Sequence, residues 1–170
     1  MENKDILTTD EFRTLARPTS KHLDEDEIKS YIGECEDVFI IPAVGLEKYE
    51  ALQADKLSEA DKILLSGGTF EGKDGKKYKC AGLKKSLAYF VYGKLSMGDG
   101  SIITRSGYVQ HNDSYAARTD DKNRVRRYDD VMNVAEQYLN SCLMYLKTLD
   151  GYTDLKPVRG TRVHIHAIGD

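Results

Sequence analysis

The chain has 170 residues, of which 40% are hydrophobic and 31% charged, with eleven Tyr, no Trp and a formal net charge of −3. That balance fits one soluble globular domain with a core of its own and argues against a disordered chain. A negative total also argues against a general nucleic-acid binder, and the longest apolar stretch, Val38 to Leu46, contains Pro42 and Gly45 and is far short of the ~20 residues that cross a bilayer.

The first residues, MENKDILTTDEF, carry neither a basic leader nor an apolar run, so no signal peptide is expected. Thr8, Thr9, Asp10 and Glu11 have capping-box spacing and predict a short helix to about Ala16, which Arg17-Pro18 breaks. Asp24 to Glu27 place acids where a helix dipole favours them. From there Ile28, Tyr31, Ile32, Cys35, Val38 and Phe39 follow helical spacing to Ile41, with Pro42 and Gly45 as the interruption. A short helix resumes at 46–53 with Leu46, Tyr49 and Leu52 inward. Ser58 opens another, which Gly67-Gly68 ends.

Residues 69–80 have the make-up of a β-hairpin around Gly72-Lys73-Asp74-Gly75. Next, Leu83, Leu87, Val91 and Leu95 recur every four residues, and Ala88, Tyr89, Phe90 and Tyr92 leave only Lys84, Lys85, Ser86 and Lys94 to seek water. So apolar a helix (80–97) belongs at the centre of the domain. Periodicity then fails over 98–123, where Ile102, Ile103, Tyr108, Val109 and Tyr115 are too apolar for a free linker. A long excursion lying against another subunit is expected there, with short strands near Ile102 and at 108–110. A final helix runs from about Asp121 to Leu149, its stripe made by Val125, Tyr128, Val131 or Met132, Ala135, Tyr138 or Leu139, Cys142, and Tyr145 or Leu146. The 151–170 tail holds one alternating segment, with Val163, Ile165 and Ala167 on one face, which must add to a sheet. The expected fold is mainly α: a helical domain over 1–150 with one inserted hairpin, a long last helix and an extended tail.

No catalytic constellation emerges, so no enzyme activity and no cofactor are expected. Cys35, Cys80 and Cys142 lack CxxC spacing and read as reduced thiols, Cys35 and Cys142 on helix core faces. His164 and His166 could share a strand face, but no further ligand completes a metal set. Gly67 to Lys73 matches GxxxxGK, yet Asp74 stands where a phosphate loop needs Ser or Thr, and a helix precedes it where a strand is required. Arg118, Lys122, Arg124, Arg126 and Arg127 form a basic patch that could meet nucleic-acid phosphates or an acidic protein neighbour.

Charge is unevenly divided. Residues 1–61 hold sixteen acidic and seven basic side chains, and residues 62–170 hold twelve acidic and eighteen basic. Two solvated surfaces of opposite sign would explain this, and so would complementarity between successive copies of the chain.

The order of these elements, with Ile41-Pro42-Ala43-Val44-Gly45, then Gly82-Leu83-Lys84-Lys85-x-Leu87-Ala88-Tyr89, then Gly107-Tyr108-Val109-Gln110, resembles the helical head–tail connector (adaptor) proteins of tailed bacteriophages, in the version found in phages and prophages of Bacteroidetes. The resemblance covers about 6–149 and rests on joint order, not on a catalytic signature. It implies a virion structural protein at the head–tail junction, assembled in the host bacterial cytoplasm. Such proteins form rings, typically dodecameric, below the portal. The implied partners are other copies of the chain, the portal protein and the next tail or stopper-ring protein, with channel DNA passing through without sequence-specific contact and no membrane involved.

The residues expected at such interfaces are Glu25, Glu27, Glu34 and Asp37 on the acidic side and Arg118, Arg124, Arg126 and Arg127 on the basic side. Tyr108 and Tyr115 belong to the excursion, and Val163 and Ile165 to the tail strand. A nucleic-acid-binding regulator using the Arg118–Arg127 patch is the alternative. Deleting residues 157–170 should leave the thermal melt unchanged while weakening capture of a partner protein; a deletion variant that unfolds would refute this reading of the tail.

Overall fold

Thr8 opens the first helix with a reciprocal pair of bonds. Its hydroxyl accepts the Glu11 N–H at 3.2 Å and its own N–H donates to the Glu11 carboxylate at 3.0 Å, closing the capping box on α1 (Thr9–Leu15). The computed structural model describes residues 5–20, 23–97, 101–104, 107–110, 121–149, 151–152 and 155–157. Asp24 caps α2 (Glu25–Cys35) through the Asp26 N–H. The chain then continues without a break through a π-helical turn (Glu36–Ile40) into α3 (Ile41–Val44), and Gly45 stops it at φ 86°.

Of the two expected interruptions, Pro42 does not break the helix and Gly45 does. In the π-turn the Ile41 N–H reaches back five residues to the Glu36 carbonyl. Shifting the hydrogen-bond register in this way lets the helix absorb a proline that has no donor of its own. The π-turn also resets which residues face inward. Positions four apart drift around an α-helix, and the wider turn takes that drift back. Ile28, Ile32, Glu36, Ile40 and Val44 are all buried, while Val38, expected inside, is 53% exposed. Phe39 stacks on Phe90 at 4.2 Å between ring centroids.

Helix α4 (Leu46–Leu52) buries Tyr49 and Leu52, but Leu46 is 58% exposed because it leads the helix directly out of the Gly45 bend. Ser58 caps α5 (Glu59–Ser66) through the Asp61 N–H, and Gly67 ends it. Strands β1 (Gly68–Glu71) and β2 (Lys77–Cys80) form the expected hairpin, with Phe70 opposite Tyr78. A helix before and a hairpin after Gly67–Lys73 is not the strand-loop-helix order of a phosphate loop.

Helix α6 (Leu83–Met97) is the pillar, with α1, α2, α5 and the long α7 (Asp121–Leu146) all packed on it. Leu83, Leu87, Ala88, Phe90 and Val91 meet a core that includes Ala135, Leu139, Cys142 and Leu143. Ser86 is not a water-facing residue. It is fully buried, and its hydroxyl donates to the Ala135 carbonyl of α7 at 2.9 Å, which satisfies it inside the helix pair. At the far end of the stripe Val125 is 47% exposed, because its turn of α7 lies beyond the region that packs inward.

Between α6 and α7 lie β3 (Ser101–Thr104) and β4 (Gly107–Gln110), an antiparallel pair that sets Ile102 opposite Val109 and Ile103 opposite Tyr108. The excursion thus carries both strands expected of it. They pair with one another.

Two glycines make the turn into α6 feasible. Gly82 sits at φ 92°, and a Cβ there would lie 2.7 Å from the Gly67 nitrogen; one on Gly67 would lie 2.8 Å from the Ala81 carbonyl oxygen. Neither clash can be relieved without moving backbone. Gly33, within α2, has nothing within 4 Å of an added Cβ. Gly82→Ala should therefore lower unfolding free energy by about 1–3 kcal/mol, whereas Gly33→Ala should raise it by up to ~1 kcal/mol, both read from urea unfolding.

Candidate functional site

The π-turn brings a carboxylate into the core. Glu36 is 3% exposed. Its Oε1 accepts the Ile6 N–H at 2.8 Å and its Oε2 accepts the Tyr49 hydroxyl at 2.6 Å. One side chain thus ties the segment before α1, the π-turn and α4 together. Burial pushes its pKa up to about 7, against the opposing pull of the two hydrogen bonds, and the negative neighbours Asp5 and Asp37 push the same way. Burial and Asp37 likewise hold Asp5 above its ordinary value. Position 36 continues the Ile28–Ile32 spacing toward Ile40, so the sequence carried the signal: an acid on the apolar stripe.

Reactive chemistry is not assembled elsewhere among the described residues. The Cys80 and Cys142 sulfurs lie 3.6 Å apart in the core, and Cys35 is buried with its thiol pushed up to about 12 by burial. Buried thiols in apolar surroundings are poor nucleophiles. No cluster of His, Cys, Asp and Glu among the described residues is placed to hold a metal ion. His164 and His166 lie outside them.

A cleft of about 360 Å³ lies between α1 and the start of α6, lined by Asp10, Glu11, Thr14, Leu15, Ser66, Ala81, Lys84 and Lys85. At its wall, Lys84 is already joined to Glu11 at 2.5 Å. That pair fastens α1 to α6 and leaves the cleft without converging free polar groups on these two residues.

The expected interface residues are distributed over separate elements. Glu25 and Glu27 are exposed in the first turn of α2, and Asp37 is exposed on the π-turn. Glu34 is bonded within its own domain, to Lys94 of α6 at 2.7 Å. On α7, Arg126 and Arg127 are exposed, while Arg124 is half-buried and donates to the Met97 carbonyl at 2.5 Å. Tyr108 falls on β4. Arg118, Tyr115, Val163 and Ile165 lie outside the described residues, as does the expected tail strand. Glu25, Glu27 and Asp37 form no ion pair with Arg126 or Arg127, and α2 and α7 each pack on α6 without extensive contact between them. The two charged surfaces are left unneutralised by one another.

A family model matches residues 40–162, well over half of the chain. The chain belongs to DUF6712, a family of unknown function. No curated protein and no solved structure matches it. The DUF6712 match begins at Ile40, the last residue of the π-turn, and takes in Tyr49, the glycine-lined turn into α6, the β3–β4 hairpin and all of α7. Among the described residues no helix is long and apolar enough to cross a membrane.

The Glu36 node predicts a pH dependence of definite sign. The folded chain holds the Glu36 proton up to about pH 7, while the unfolded chain releases it near 4.5. Protonation therefore favours the fold: the contribution is complete below pH 4.5, declines as pH rises from 4.5 to 7, and is gone above that. Glu36→Gln, which stays neutral, should be more stable than the parent by up to ~3 kcal/mol at pH 8 and similar to it at pH 4.5. Denaturant unfolding of both chains at the two pH values reads the difference; an equal gap at both would refute it.

Proposed function

We propose that this DUF6712 chain is a structural assembly protein, acting as the head–tail connector of a tailed phage, where copies form a ring below the portal. The observation that carries the reading is the separation of charge over rigid elements. Exposed acids stand at the start of α2 and on the π-turn, exposed Arg126 and Arg127 on α7, and among the described residues no ion pair joins them. Complementary patches on different surfaces of one subunit favour head-to-tail contacts, which close into a ring when the rotation permits.

The β3–β4 hairpin supports the same reading. A two-stranded ribbon is marginal in water without a surface to pack on. Here two consecutive cross-strand positions, Ile102–Val109 and Ile103–Tyr108, set apolar residues opposite one another. A neighbouring subunit or the next ring would supply such a surface. Eleven tyrosines suit surfaces that become buried on contact.

Imaging and sedimentation of the full chain at low salt should find a closed ring with an opening that passes duplex DNA. Charge reversal by Arg126→Glu with Arg127→Glu should lower the assembled fraction at least tenfold with an unchanged melting temperature, and adding Asp37→Arg should restore part of it. A chain that stays monomeric at all concentrations while binding duplex DNA through Arg126 and Arg127, with a steep salt dependence, would favour the nucleic-acid-binding alternative.

A further inference from the structure

Two groups of exposed apolar residues on the helical body stand in opposite electrostatic settings. Among the described residues only Val38, Leu46, Val125 and Met144 are large hydrophobics with substantial exposure. Val38 stands on the π-turn, exposed Pro42 follows one turn later, and Leu46 comes just past the Gly45 bend. This ridge is set among exposed acids, Glu34 and Asp37 before it and Glu47 and Glu50 after it. Lys94 is paired with Glu34, and Lys48 with Asp61 at 2.5 Å. Val125 stands in the opposite setting, on α7 between exposed Lys122 and exposed Arg126 and Arg127. Of the acids one turn further on, Asp130 is bonded to Arg17 at 2.7 Å and Asp129 is half-buried.

Among the described residues nothing covers either patch. The π-turn that carries Glu36 inward is what carries Val38 and Pro42 outward, and an exposed apolar ridge among charges is the usual anatomy of a contact centre with a polar rim. We propose that the Val38–Pro42 ridge of one copy seats against the Val125 turn of α7 in a second copy, with the acids of the ridge meeting Lys122, Arg126 and Arg127 around the rim. The occupant is a second copy because the same chain carries both halves: one apolar centre flanked by exposed Asp37, Glu47 and Glu50, and another flanked by exposed Lys122, Arg126 and Arg127. The two halves lie on different elements, so the contact is head-to-tail and repeats. The inference deepens the assembly reading above and rests on it.

Site-directed cross-linking separates the two. The native cysteines are all buried, so a Val38→Cys chain mixed with a Val125→Cys chain and oxidised with diamide offers one exposed thiol on each partner. Each pair of thiols loses two protons and two electrons to diamide, which becomes the hydrazine, and one S–S bond forms between chains. The expected product is the mixed dimer, at least tenfold over either homotypic dimer, and lost when salt is raised to screen the rim. Assembly seen in sedimentation, with no excess of the mixed product, overturns this contact and leaves the assembly reading standing. Monomers throughout, with no cross-link above a scrambled-pair control of Val38→Cys with Met144→Cys, overturn both.

Discussion

The packing of α6 on α7 is the constraint on which the other elements depend. Two long helices can approach closely only where side chains are small and buried polar groups are satisfied. Gly93 allows this at one end, since a Cβ there would lie 3.0 Å from the Met132 sulfur. Ser86 allows it in the middle by donating to the Ala135 carbonyl. Near the start of α6, Ser141 of α7 accepts the Ala81 N–H at 3.0 Å and holds the turn that the two facing glycines create. Tyr89 meets Tyr138 edge-on at 5.1 Å, and Lys85 lies over the same Tyr138 ring at 4.8 Å. With this pair in place, α1, α2 and α5 each need only one apolar stripe to complete the core.

The π-turn is the second organising feature, and it links the core to the surface. Its extra residue keeps Ile28, Ile32, Glu36, Ile40 and Val44 in line, buries a carboxylate and turns Val38 out. A leucine at position 36 would remove the charge, but it would also leave the Ile6 N–H and the Tyr49 hydroxyl without the partner they share. The node thus positions the segment before α1 at the cost of a raised carboxyl pKa. The same local geometry that builds this internal clasp also creates the apolar ridge assigned to a neighbour.

Surface charge acts on the outside of this frame. Where cations are needed to fasten helices together they are paired: Lys84 with Glu11, Lys94 with Glu34, Lys48 with Asp61. The exposed groups at the start of α2 and on the first turns of α7 have no such structural duty. Individually such charges are worth little in stability, about 0–1 kcal/mol for an exposed pair. Repeated around a closed assembly, they set which surfaces meet and how strongly salt opposes the meeting.

The sequence by itself determined the element order, because its signals are local. Capping side chains at Thr8, Asp24 and Ser58, glycines at the helix ends, and the four-residue recurrence from Leu83 to Val91 each act within one or two turns of chain. It also held the clue to Glu36, an acid on an apolar stripe. What only the tertiary structure decided depends on groups far apart in the chain. Whether Ser86 meets water or a carbonyl depends on α7, forty-nine residues away. Whether Val38 or Ile40 faces the core depends on a π-turn, and Pro42 alone reads equally as a break. That Glu36 is clasped, and that the acids of α2 and the bases of α7 remain apart, follows from how both helices pack on α6.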